Sequence, residues 1–245
     1  MKLTRTALLL VGAFAIGCSS DSSISPSSSR PANLDAALKE FSFSSLSALV
    51  PGSTSASPAT SSSGCTYSAV TQSFVCTATS GSSVTATQSF TLFDASGAPQ
   101  SKWGDNIAAI RMKASASGTS NDASGVKSFE AATDLTLSGL ITGVHALDGS
   151  ATSRTVSGTG SNQQVVTTSA TFAGLVLPNA SEGINAFPKA GTITASAVTT
   201  SNGSTVNASV QMTFNGTSSV PMVVTVNGIT VRCTVNLASS NPSCG

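Results

Sequence analysis

The sequence predicts an all-β protein: a single antiparallel meander sheet curved into a half-barrel or barrel, with a short N-terminal helix. Three observations predict it. Residues 191–237 alternate apolar and polar side chains almost without a break. Val206, Ala208, Val210, Met212 and Phe214 point one way, and Asn207, Ser209, Gln211, Thr213 and Asn215 the other. A period of two marks a half-buried strand. Second, Asn-Gly pairs punctuate the alternation, and both residues of such a pair tolerate the positive φ of a tight hairpin. Third, many strand segments run to about ten residues, which favours one large curved sheet over a sandwich of short strands.

The turns can be tested by the faces they bring together. A two-residue turn at Asn202-Gly203 sets Ile193, Ala195, Ala197 and Thr199 opposite Met212, Val210, Ala208 and Val206. One at Asn227-Gly228 sets Val220, Met222, Val224 and Val226 opposite Val235, Cys233, Val231 and Ile229. At Asn215-Gly216 a two-residue turn would drive Val220 to the wrong face. An odd loop, 215–217, restores Met212 opposite Val220 and Phe214 opposite Ser218.

Along the chain, residues 1–17 read as an export signal: Lys2 and Arg5, then an apolar run over 7–16 that is too short to remain in a bilayer as a helix of about 20 residues. Ala15-Ile16-Gly17-Cys18 resembles the lipobox of bacterial lipoproteins, with Ala15 where the commonest form has leucine. The resemblance implies cleavage before Cys18, acylation of its thiol and, with Ser19 following, anchoring to the outer membrane. The competing reading is a secretory signal cut after Ala15, which leaves Cys18 a free thiol. Five cysteines in an exported chain leave one without an intramolecular partner, and Cys18 is the outlier by position.

Residues 18–33 are Ser- and Pro-rich and read as a tether. Asn33 caps a short amphipathic helix over 34–50, with Asp35 in its first turn and Leu34, Ala37, Leu38 and Phe41 at helical spacing. That helix suits either a lid or a cover for an open end of the sheet. Pro51 ends it, and 51–64 is a second linker.

The β domain occupies 65–245. Pairing Cys65 with Cys76 across a hairpin puts Tyr67 opposite Phe74, within disulfide reach. Cys233 and Cys244 have the same spacing, with Asn241-Pro242 as the turn between them. The other connectivities of four cysteines stay open. A zinc site is disfavoured because the cysteines lack paired C-x-x-C spacing.

The next strand carries Val84, Ala86, Gln88, Phe90 and Leu92. Residues 98–107 are irregular and hold the sole tryptophan. Lys102, Trp103 and Asp105 are the candidate binding loop, against the plainer reading that Trp103 plugs one end of the core. Ile110, Met112, Ala114 and Ala116 resume the alternation with Arg111 and Lys113 outward, up to a turn near Asn121-Asp122. Phe129 to Leu137 follows. Asp148-Gly149 reads as a hairpin joining strands 141–147 and 150–157, which puts the sole histidine, His145, opposite Thr152. Residues 163–177 are one strand, or two with a break at Gly174, and 178–190 a loop.

Composition narrows function. Removing Lys2 and Arg5 leaves nine cations against ten carboxylates, a mature charge of −1, so no basic field attracts nucleic acid. One Trp and one Tyr do not supply the aromatic girdles of a membrane-spanning barrel. His145 lies near Asp148 among many serines, but no G-x-S-x-G elbow accompanies it, and no catalytic residues, cofactor or metal site are expected. The sequence points to an outer-membrane lipoprotein, its partner the membrane through the lipid anchor. Its fold class is like that of carriers that hold a hydrophobic small molecule or lipid on an apolar concave face, with Ala86, Ala114, Ala131, Ala195, Ala197 and Ala208 leaving room for one. The alternative is a structural or adhesive envelope protein with a filled core.

Overall fold

A computed structural model describes residues 65–244, except 81–83, 123–124, 179–181, 183–185 and 240. Cys18, the signal, the tether, the helix expected at 34–50 and the linker lie outside these. Thirteen strands form one antiparallel sheet: β1 (Cys65–Ser68), β2 (Ser73–Ser80), β3 (Val84–Asp94), β4 (Pro99–Gln100), β5 (Ile107–Asp122), β6 (Gly125–Ser138), β7 (Ala146–Ser157), β8 (Gln164–Val176), β9 (Ala190–Ser201), β10 (Ser204–Thr213), β11 (Ser219–Val226), β12 (Ile229–Asn236) and β13 (Asn241–Cys244). The order is a plain meander, with β4 beside β3 as the one strand off the path. Among the described residues the sheet does not close, and β1 and β13 are its two edges.

The parity argument holds at both two-residue turns. Ile193, Ala195 and Ala197 face Met212, Val210 and Ala208, and Val220, Met222 and Val224 face Val235, Cys233 and Val231. Asn202 and Asn227 adopt the positive φ that such turns need. The apolar face is continuous from Leu135 on β6 to Val235 on β12, and Leu175, Val220, Val224 and Val235 are 0% exposed. A smaller cluster of Leu92, Ile107 and Ile110 takes in Phe74, Phe90, Met112 and Leu140. There Phe74 lies edge-on to Tyr67 and stacks on Phe90 at 4.7 Å. At roughly 1.5–3 kcal/mol for each fully buried Val, Leu, Ile, Phe or Met, this face is the main source of stability.

Four sequence expectations are corrected. Asp148-Gly149 makes no hairpin; it lies inside β7, and the chain reverses at 139–145 instead. Gly149 has the positive φ that the dipeptide signals, but uses it at a bulge, where β7 passes from Leu147 to Gly149 while β8 passes from Leu175 to Phe172. The expected strand over 141–147 is therefore mostly loop. His145 sits in that loop, its carbonyl accepting the Leu177 N–H at 2.9 Å, while Thr152 pairs with Ala132 and Ser169.

The 215–217 turn is also longer than expected, so Met212 faces Met222 rather than Val220. The Phe214 N–H donates to the Gly191 carbonyl and the Gly216 N–H to the Pro188 carbonyl, so 214–216 stay beside the approach to β9 before reversing. The slip is two residues, and parity survives it. Asn241 and Pro242 lie in β13, opposite Asn236 and Val235, not in a turn; the Asn236 side chain accepts the Ala238 N–H at 2.9 Å and organises the reversal. Lastly, the 98–107 passage, irregular by sequence, contributes a short strand, β4, beside β3.

Both expected disulfides are present, Cys65–Cys76 and Cys233–Cys244. Each ties an edge strand to its neighbour.

A row of glycines creases the sheet. Gly149 on β7, Gly174 on β8 and Gly191 on β9 all have positive φ. They lie where the β7–β8 and β8–β9 registers both shift. A Cβ on Gly191 would fall onto the Gly174 carbonyl and the Leu175 Cα, and one on Gly149 onto the Asp134 carbonyl. The Asp148 carboxylate accepts the Gly174 N–H at 2.6 Å, replacing a ladder bond lost to the bulge.

Two outcomes follow for stability. Gly191→Ala should lower the thermal midpoint by about 4–10 °C, from strain and contact of about 2–3 kcal/mol, and clearly more than Gly203→Ala, where a Cβ meets open space. Replacing either cysteine pair by serine should cost about 3 kcal/mol for the opened loop, with a further loss at Cys233, which is buried on the apolar face. Urea unfolding of the two double variants measures both terms.

Candidate functional site

The two ends of the sheet differ in chemistry. One end carries the turns 158–163, 202–203 and 227–228, made of Gly, Ser, Thr, Asn and Gln. The other carries the β1–β2 turn, the 101–106 loop, the 139–145 loop and the long 177–189 loop.

The candidate binding loop lies at this second end. Asp94, at the end of β3, builds its base. One carboxylate oxygen accepts the Ser96 N–H and hydroxyl and the Ala98 N–H, and the other accepts the Gln100 side-chain amide at 2.7 Å. The Ser96 hydroxyl, followed by the Ala98 N–H, holds the Asp94 carboxyl below its ordinary range. Gly97, at φ +81°, closes the turn. The chain then pairs as β4 and crosses to β5 through 101–106, anchored by the Ile107 N–H donating to the Gly104 carbonyl.

Lys102 and Asp105 are exposed and make no ion pair among the described residues. Trp103 is 41% exposed, so it does not plug the core. Three further exposed apolar residues on turns share this end: Val70 at 96%, Ile141 at 52% and Val144 at 56%. Reading 141–147 as a strand hid the last two. The pair Gly139 and Gly143 was the available signal, since both carry the positive φ of a compact turn. There the Gly143 N–H and the Thr142 hydroxyl both donate to the Gly139 carbonyl, which fixes Ile141 and Val144 at the tip.

At the polar end a shallow open depression of about 600 Å³ is lined by Gly160, Asn162, Gln163, Val165, Thr200, Asn202 and Gly203. Its amides and hydroxyl offer hydrogen bonds but no charge. Among the described residues no group of three or more His, Cys, Asp and Glu side chains could hold a metal ion.

The outer face is a hydroxyl surface. Successive registers carry one row from Thr87 through Ser115, Ala132, Thr152, Ser169, Ser196 and Ser209 to Thr225 and Thr230. Neighbours in this row bond to each other: Thr87 with Ser115 at 2.7 Å, Ser169 with Ser196 at 2.7 Å, and Thr225 with Thr230 at 2.9 Å. Beside it the Arg111 guanidinium grips Asp134 with two bonds of 2.6 Å, and Lys113 approaches to 3.6 Å. The Arg111 hydrogen bonds hold the Asp134 carboxyl below the usual carboxylate range.

No family model matches the chain, and no curated protein or solved structure matches it significantly.

Because both Asp94 and Asp134 have lowered folded pKa values, the stability they contribute is complete above the unfolded carboxylate range and is lost as pH falls through the folded values. Urea midpoints should therefore fall between pH 6 and pH 3. Asp134→Asn should flatten that dependence by a surface-pair contribution of about 0.2–1 kcal/mol.

Proposed function

We propose that this chain is an exported lipoprotein, anchored through Cys18 to the outer membrane, whose β domain serves as a structural or adhesive envelope module with a filled interior. The apolar face supports a filled interior: Leu175, Val220, Val224 and Val235 are wholly covered, and Phe172, Ile193, Val210 and Met212 nearly so. A lipid-holding half-barrel would leave such a face open to its ligand. Export is supported by the basic and apolar start of the chain and by two disulfides, which persist in oxidising compartments. With four cysteines paired, Cys18 is the one left for acylation. The polar outer face, bearing its own hydroxyl pairs and the Arg111–Asp134 bridge, suits a surface held in water.

The competing reading, a bound hydrophobic molecule, draws on the half-buried Ala86, Ala114 and Ala131, away from the sealed region. Native mass spectrometry of protein extracted from its own membrane separates the two. The mass expected is that of the chain from Cys18 with its acyl groups and nothing further, and a retained small molecule would overturn the filled-interior reading. Cys18→Ala should move the protein out of the membrane fraction or leave it uncleaved. An unchanged fractionation, with a native N-terminus at Ile16, would overturn the anchor.

A further inference from the structure

We propose that the apolar-tipped end of the sheet, presenting Val70, Trp103, Ile141 and Val144, is a contact surface for the lipid bilayer. The asymmetry between the ends carries the argument. Every large hydrophobic side chain exposed on a turn or loop among the described residues lies at this end. The described turns of the opposite end, 158–163, 202–203 and 227–228, present only glycine and uncharged polar residues. Singly exposed hydrophobics are ordinary in themselves, and the polar end has two, Val84 and Ile229, on the first residues of β3 and β12; those carried on turn and loop tips gather at this end.

The tips are also held outward. Ile141 and Val144 ride on the turn fixed by the Gly139 carbonyl, where a Cβ on Gly139 would fall onto the Val144 carbonyl. Trp103 rides on the crossing set up by Asp94 and β4. Its neighbour Lys102 is exposed, and an indole beside an ammonium group suits the headgroup layer, where amphipathic rings collect.

A bilayer fits these tips better than a protein partner does. They sit on three loops with polar residues between them, and a stable protein interface asks for a contiguous patch of about 800 Å² on each side. Separate tips can each enter the headgroup layer with no partner of matching shape. The domain carries no basic field, so the contact is apolar and weak, and it rests on the anchor reading for its local concentration. On that reading the attachment at Cys18 keeps the domain close to the membrane, so that a weak contact is populated.

Trp103 is the only tryptophan, so its emission reports the contact directly. The full chain purified from membranes is reconstituted into vesicles of phosphatidylethanolamine and phosphatidylglycerol, with and without brominated acyl chains. The expected result is a blue-shifted Trp103 emission, shielded from aqueous iodide and quenched by the brominated lipid. Ile141→Asp with Val144→Asp, both exposed and so compatible with folding, should abolish most of that quenching. Emission open to iodide and blind to brominated lipid at saturating vesicle concentration overturns the proposal. The N-terminal mass of the same sample reports acylation separately. If acylation is absent, the vesicle titration still decides whether the end binds lipid, and failure of the anchor is told apart from failure of the contact.

Discussion

The described residues form one sheet with free edges and two faces, and it keeps a single face dry. That requirement governs the rest of the molecule. Alternation assigns each side chain to a face, but alternation in a flat sheet would leave the apolar face in water. The twist of antiparallel strands gives part of the needed curvature. Bulges add to it, and the register shifts fall beside Gly149, Gly174 and Gly191 on three neighbouring strands. At Gly149 and Gly191 the neighbouring backbone lies too close for a Cβ, while Gly174 is needed for its positive φ. The sequence therefore interrupts its own alternation with glycine at the place where the wall bends, and Asp148 supplies the acceptor that the broken ladder leaves wanting.

The same openness makes the edges a hazard, since unpaired strand backbone recruits other strands. Both edges are treated alike. Each ends in a four-residue strand, β1 or β13, and each short strand is tied to its neighbour by a disulfide on the apolar face. At β13 a proline removes one donor as well. A four-residue strand would fray if held only by hydrogen bonds. The covalent tie keeps it in register and shields the core behind it.

The chemistry of the described surface is divided among faces and ends. The inner face is apolar and largely covered, the outer face is hydroxyl-rich with one bidentate ion pair, one end is polar, and the other is tipped with hydrophobic residues. Such a division suits a protein that works by where its surfaces lie relative to a boundary. It also accounts for the scarcity of charge: hydroxyls in cross-strand pairs keep the outer face wet without rows of like charges on adjacent strands.

Local rules were enough to read much of this fold from the sequence. Alternation, the turns at Asn202-Gly203 and Asn227-Gly228, and the cross-strand placement of Cys65 with Cys76 depend only on side-chain period and turn geometry, and each is as the residues indicate. Cys18 and the signal rest on sequence alone. Tertiary structure decided what local rules leave degenerate. Positive φ at Asp148-Gly149 serves a hairpin or a bulge equally well, and only the neighbouring strands select the bulge. A loop that preserves parity can be two residues longer, and only the approach to β9 lengthens the one after Phe214. Val70, Trp103 and the pair Ile141 and Val144 are far apart in sequence, and no periodicity links the three sites. They come to one end because a meander alternates its turns between the two ends of the sheet, a consequence of chain order that no single stretch contains.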